Sequence, residues 1–106
     1  MDQVTVTHDE PSQRFVCEVE GHECLLEYEL EGTVIDATRT FVHPALRGRG
    51  LAEKLTVALV DHARKAGRSV IPSCSYTARF FQQHPEHRDV LDGAADLENG
   101  GSCRVR

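Results

Sequence analysis

No apolar run in this 106-residue chain approaches the roughly 20 residues that a membrane-spanning helix needs. The opening stretch MDQVTVTHDEPSQR is too polar for a secretory signal. Together these point to a cytoplasmic protein without membrane contact. An excess of positive charge is missing too: 12 Lys and Arg stand against 17 Asp and Glu, a net charge of −5. That excludes a general nucleic-acid binder, whose affinity comes mainly from neutralising phosphates. None of the four cysteines (Cys17, Cys24, Cys74, Cys103) belongs to a CxxC pair or has zinc-finger spacing, so free thiols are expected in a reducing compartment. The six histidines are scattered. The one close pair, His84 and His87, has no second ligand pair nearby and reads as surface, so no metal is expected.

What the chain does contain is enough for one small domain. "RFVCEV", "ECLLEYEL" and "TVIDATRTFV" are β-rich runs separated by Glu20-Gly21 and Glu31-Gly32, and they predict a three-stranded antiparallel meander. A two-residue loop at 20–21 sets Cys17 opposite Cys24 and Phe15 opposite Leu26, and a loop at 31–32 sets Tyr28 opposite Ile35 and Leu26 opposite Ala37. One face then carries Phe15, Cys17, Val19, Cys24, Leu26, Tyr28, Leu30, Ile35 and Ala37. The other is acidic, with Glu18, Glu20, Glu23, Glu27, Glu29 and Asp36 among Val16, Leu25 and Val34.

From Gly50 to Ala66 the period becomes helical, with Leu51, Leu55, Ala58, Leu59, His62 and Ala66 on one stripe and Gly67 as the stop. A strand at 69–71 ends at Pro72. "SCSYTARFFQQH" then predicts a second helix, capped by Ser73 or Ser75 and closed by His84-Pro85. The fold class is therefore α+β: a meander of three strands, then helix, parallel strand and helix, with the first helix over the apolar face. The domain spans 1–91, and residues 92–106 are expected to be a flexible tail.

The stretch "HPALRGRGLAEKL" (43–55) lies between the third strand and the first helix. Unpaired amides and the helix dipole make a helix start suitable for an anion. Gly48 and Gly50 permit close backbone approach, and Arg47 and Arg49 bring charge suited to phosphate. A solvent-exposed basic turn is the alternative. The familiar phosphate loops, GxxxxGK(S/T) and GxGxxG, are both absent.

This loop, in this order of elements, resembles the GNAT acetyltransferase superfamily. Its acetyl-coenzyme A motif, Gln/Arg-x-x-Gly-x-Gly/Ala, stands here as Arg47-Gly48-Arg49-Gly50-Leu51-Ala52. The likeness is closer to the small single-domain members, which combine the loop with a VIPSCSY-type segment, here residues 70–76, and an HPEY-like turn, here His84-Pro85-Glu86-His87. It extends over about residues 14–91.

The resemblance implies acetyl-CoA as co-substrate and an amine acceptor that the sequence does not identify. Amides from Arg47 to Ala52 would hold the pyrophosphate, the pantetheine arm would pair near Phe41 and Val42, and Arg47 or Arg49 would assist the 3′-phosphate. The thioester would then point between the third and fourth strands, toward Cys74.

Cys74 reads in two ways: a thiolate favoured by a helix N-terminus, or a small core residue. The resemblance implies a catalytic role, with an acetyl-cysteine intermediate as one route. Tyr76 stands near the position of a tyrosine that protonates the departing thiolate, and ring packing is its other reading. Many of these relatives carry a histidine in the third strand where this chain has Arg39, in Arg39-Thr40-Phe41-Val42. Arginine does not act as a base at neutral pH, so Arg39 is expected to lower the Cys74 pKa or to bind an acidic group. His43, four positions on, reads either as a substitute for that histidine or, by preference, as part of the loop. A non-catalytic coenzyme A-binding module is the competing function, and a monomer is the default state.

Overall fold

In the computed structural model, which describes residues 5–92, one sheet holds five strands in chain order: β1 (Thr7–Asp9), β2 (Arg14–Val19), β3 (His22–Glu31), β4 (Val34–Val42) and β5 (Ser69–Pro72). Strands β1 to β4 are antiparallel neighbours, and β5 is parallel to β4. Helix α1 (Leu51–Ala66) forms the crossover. Helix α2 (Ser75–Gln83) follows β5, and a 3-10 segment covers Pro85–Val90. The mixed α+β architecture is the expected one, extended by the edge strand β1. The sequence reading missed β1 because three residues, Thr-His-Asp, show no period, and their conformation comes from pairing with Arg14 to Val16.

The first hairpin has the expected register, Cys17 opposite Cys24 and Phe15 opposite Leu26. Glu20 and Gly21, at φ of 55° and 80°, supply the two left-handed residues of its tight turn. In the second hairpin the expected register is displaced by two residues: Leu30 faces Ile35 and Tyr28 faces Ala37. Gly32, at φ 63°, opens that turn instead of closing it, so Glu31 pairs with Val34. A slip of two leaves every side chain on its own face.

A bulge then intervenes. Glu27 pairs with Arg39 while Tyr28 pairs with Ala37, which leaves Thr38 as the extra residue. Beyond it, Thr40 faces Leu26 and Val42 faces Cys24, so the bulge turns Thr40 and Val42 toward the helix-covered side.

The core joins Phe15, Cys17, Cys24, Leu26, Tyr28, Ile35 and Ala37 of the sheet to Leu51, Leu55, Leu59, Val60 and Ala63 of α1 and to Phe80 and Phe81 of α2. The buried stripe of α1 is rotated from the expected one. Thr56, Val60 and Ala63 are inside, while Ala58 and His62 are half-buried and Ala66 is exposed. Thr56 is tolerated there because its hydroxyl donates to Ala52 O at 2.9 Å. On the reverse face, Leu25 and Asp36 are also buried, so that face is not uniformly open to water.

Cys74, rather than Ser73 or Ser75, is the N-cap of α2. Ser73 instead donates to Asp36 Oδ1 at 2.6 Å. Asp92, expected to begin the tail, is tied to β5: its amide donates to Val70 O and its carboxylate accepts from Ser69 Oγ. Residues 93–106, the rest of that tail and Cys103 with it, lie outside the described residues. No helix among the described residues is long and apolar enough to cross a membrane.

Leu59 has no exposed surface, so Leu59→Ala is expected to lower stability by about 2–5 kcal/mol. Ala66→Ser, on an exposed position, should stay within about 0.5 kcal/mol of the parent. Urea unfolding midpoints check both, and near-equal midpoints for the two variants would contradict this placement of the core.

Candidate functional site

The site begins where β4 and β5 part. Their pairing runs from Val34 with Ser69 to Ala37 with Pro72 and ends there. Ser73 N donates to Ile71 O at 3.1 Å, which turns the chain, and Cys74 N donates to Ala37 O at 2.8 Å as the last backbone link between the two segments among the described residues. Strand β4 continues to Val42 without a strand partner on that side among the described residues. The bulge at Thr38 bends it away, leaving a gap with a free strand edge.

Cys74 stands at the head of this gap and is half-buried. Its thiol lies 3.5 Å from Thr40 Oγ1, a contact that exists because the bulge turned Thr40 inward. Burial pushes the thiol pKa up, but the Thr40 hydroxyl, the Thr77 and Tyr76 amides at the start of α2 and the Thr77 hydroxyl outweigh it, so the net shift is downward. Thr77 is fully buried, and its hydroxyl makes no hydrogen bond among the described residues although it stands near enough to the sulfur to lower the thiol pKa. By contrast, burial and the neighbouring Cys24 push Cys17 up to about 11. Cys17 and Cys24 are core fillers, and Cys74 is the thiol whose surroundings lower its pKa.

Arg39 does not act on Cys74. Its guanidinium lies 3.2 Å from Glu27 Oε1 and 5.9 Å from the centre of the Phe41 ring. The bulge put Arg39 and Phe41 on one face and Thr40 on the other. Among the described residues no histidine is hydrogen-bonded to Cys74 either. Thr40 and Thr77 are the residues beside the Cys74 sulfur that sequence reasoning missed. Thr40 stood inside the quoted segment, but only the bulge, which spacing does not reveal, shows that it is the inward-facing residue.

The RGRG turn is anchored at both ends by fully or nearly fully buried leucines, Leu46 and Leu51. His43 belongs to this loop: its Nδ1 accepts from Ala45 N at 3.0 Å, capping the 3-10 turn Pro44–Leu46, and its ring stacks on His22. Gly48 and Gly50 have φ of 87° and 74°. The first intrahelical bond of α1 is donated by Lys54 to Gly50 O, so the preceding amides form an open helix start.

Val42, Arg47, Gly48, Gly50, Leu51, Ala52 and Tyr76 share a cavity of about 230 Å³ with Leu46. It thus gathers most of the loop residues singled out from the sequence. Cys74 is not in its wall, although Tyr76, two residues on, is. Burial, then Glu53 and the Cys74 charge, raise the Tyr76 pKa, so its phenol keeps its proton at neutral pH.

Two other expected residues lie elsewhere. The Phe41 side chain sits on the reverse face, opposite Leu25. Arg49 is held by Glu20 through bonds of 2.9 and 3.3 Å, and with Lys54 it borders a hollow of about 560 Å³ along α1.

Residues 14–90 match the family described as GCN5-related N-acetyl-transferase. Over 85 residues the chain is 31% identical to Protein NATD1 of Bos taurus and 29% identical to that of Gallus gallus, spanning 77% of this chain and 75% and 77% of those proteins. The fold is similar to the solution structure of a GCN5-like protein from Staphylococcus aureus, with a TM-score of 0.68 and 26% identity over 88% of this chain and 92% of that one.

The electrostatics predict an order of thiol reactivity. Iodoacetamide should label Cys74 before Cys17 or Cys24, with a pH midpoint below the ordinary thiol value of 9.0, and Thr40→Val should move that midpoint upward. Peptide mass spectrometry at several pH values reads both. Earlier labelling of Cys17, or a midpoint indifferent to Thr40, would count against the site as described.

Proposed function

The chain belongs to the GCN5-related N-acetyltransferase family, and from that premise we propose that it binds acetyl-CoA at residues 47–52 and transfers the acetyl group to an amine. The observation that carries this reading is the cavity that joins the two left-handed glycines at the start of α1 to Tyr76 beside Cys74. A pyrophosphate suits that helix start because several amides and the helix dipole converge there. The free edge of β4 from Thr38 to Val42 offers backbone groups to the amide-bearing pantetheine arm, as an added strand would use them. Arg47, whose Nε donates to Val42 O at 3.3 Å, stands between these two segments. Arg49 and Lys54 suit the 3′-phosphate along α1.

The acetyl thioester supplies an activated carbonyl at the gap. In one route the unprotonated acceptor amine attacks it directly. In the other the Cys74 thiolate attacks, the bond to the coenzyme A sulfur breaks, and the amine then displaces Cys74 from the acetyl group. In both, the departing thiolate takes the Tyr76 proton, and the proton lost by the amine returns through solvent to the tyrosine. The absence, among the described residues, of a histidine bonded to Cys74 favours a second reading, a coenzyme A-binding module without turnover.

Calorimetric titration with acetyl-CoA tests binding, and a screen of amines tests transfer. An L-residue at Gly50 is strained by about 1–2 kcal/mol, and relief of that strain would turn the amides from their present direction. Gly50→Ala is therefore expected to weaken acetyl-CoA binding about tenfold or more, while Cys74→Ala binds normally. Acetylated Cys74 in the mass spectrum supports the covalent route, and full turnover by Cys74→Ala leaves direct attack. Binding without transfer to any amine gives the second reading, and no binding at about millimolar acetyl-CoA rejects both.

A further inference from the structure

The edge strand β1 delivers His8 into an aromatic corner distant in the fold from the β4–β5 gap. The His8 ring stacks on Phe15 with centroids 4.1 Å apart and planes 7° from parallel, and its Nε2 lies 2.6 Å from the Tyr28 hydroxyl. That contact occupies one ring nitrogen. The other, Nδ1, lies 3.8 Å from Glu10 Oε2. From α1, the His62 ring meets His8 edge-on at 4.4 Å. One potential ligand atom from each of His8, Glu10 and His62 falls within 4.8 Å of the other two.

We propose that His8, Glu10 and His62 form a site for a divalent transition metal, with Zn²⁺ as the best match, that fastens β1 to α1. Two imidazoles and one carboxylate make a borderline donor set of the kind zinc accepts, and three protein ligands leave a fourth position for water. His8 is already oriented as a ligand. When Nε2–H donates to Tyr28, the lone pair is left on Nδ1, toward Glu10, and such an outer hydrogen bond is the usual companion of a metal-binding histidine. Bonds of about 2.0–2.1 Å place tetrahedral ligand atoms roughly 3.4 Å apart, so closure needs a movement of about 1 Å. Glu10, an exposed side chain beside the β1–β2 turn, is free to make it. A hollow of about 350 Å³ lined by His8, His62, Phe15 and Asp61 among others opens onto the cluster and provides entry.

Arg68 opposes the metal. Its NH1 lies 3.2 Å from His62 Nε2, which as an acceptor leaves the His62 proton on Nδ1. A metal at Nε2 takes the place of Arg68, and a metal at Nδ1 moves that proton to Nε2 and turns Arg68 away, so in either case a modest affinity is expected. Lys65 on the rim of the hollow adds to the opposing charge, while Asp61 offsets it. The role is structural. β1 is a three-residue edge strand whose backbone pairs only with β2 among the described residues, and a metal would tie it to a long helix.

The test uses the full chain freed of metal by chelation. Co²⁺ is added while the visible d–d absorption is followed, and Zn²⁺ is then added to displace it. The site predicts one Co²⁺ per chain with a band of tetrahedral or five-coordinate strength, loss of that band with Zn²⁺, and a rise in Tm with added Zn²⁺ as binding favours the folded state. Glu10→Gln should weaken Co²⁺ binding at least tenfold while leaving the metal-free Tm unchanged, which separates lost ligation from lost folding. His8→Gln and His62→Gln should remove the band, and a His84→Gln/His87→Gln double variant should keep it. No binding at about 100 µM Co²⁺, a thiolate charge-transfer band, or loss of the signal only in the His84/His87 variant would each overturn the proposal. None of these readouts depends on acetyl transfer.

Discussion

The bond from Cys74 N to Ala37 O, 2.8 Å long, is the last backbone link, among the described residues, between β4 and the segment that follows β5, and the candidate active site is organised around it. On one side lies a regular parallel ladder. On the other, Thr38 enters as an extra residue, and β4 continues alone as a strand with an open edge. Asp36, buried on the reverse face, accepts from Ser73 at 2.6 Å and so braces the same junction from behind. The sulfur, the free edge and the start of α2 are thereby held in one rigid frame. Because the sulfur and Thr40 are fixed by backbone pairing rather than by long flexible side chains, their alignment requires little ordering when a ligand arrives.

The loop at the head of α1 depends on the same core from another direction. Its glycines and arginines are exposed, yet it runs between Leu46 and Leu51, both of which pack into the main cluster. An open amide cradle is thus suspended between two buried anchors. The ion pair between Arg49 and Glu20, exposed on both sides, contributes little to stability. Its consequence is local: it draws Arg49 away from the cavity and toward the β2–β3 turn, leaving Arg47 as the arginine beside the glycines.

Periodicity and turn chemistry made most of this fold legible. The alternation of Phe15, Cys17, Cys24 and Leu26, together with Glu20-Gly21, specified the first hairpin to the residue. The crossover followed from the change of period at Gly50 and the stop at Gly67. What stayed hidden was what a neighbour decides. β1 takes its conformation from β2, and the second turn used Gly32 as its first residue rather than its last. The bulge at Thr38 has no signature in spacing, yet it chose Thr40 over Arg39 as the companion of Cys74. Most residues of the loop motif line one cavity, but Arg49 carries the same charge as Arg47 and only the position of Glu20 sets the two apart. His8 and His62 are 54 positions apart, so no local pattern could join them.

The claim that the loop, the free edge and the head of α2 make up one ligand site is tested most directly by mapping backbone amide shifts. A ¹H–¹⁵N spectrum of the chain recorded during titration with coenzyme A reports each segment separately. The account predicts concerted, saturable shifts in residues 47–52, in 38–42 and in 74–77, fitting a single dissociation constant, while β1 and the β1–β2 turn stay unmoved. Shifts confined to the arginine-rich loop, with the β4 edge and the α2 start unaffected, would contradict it and leave only a basic surface turn.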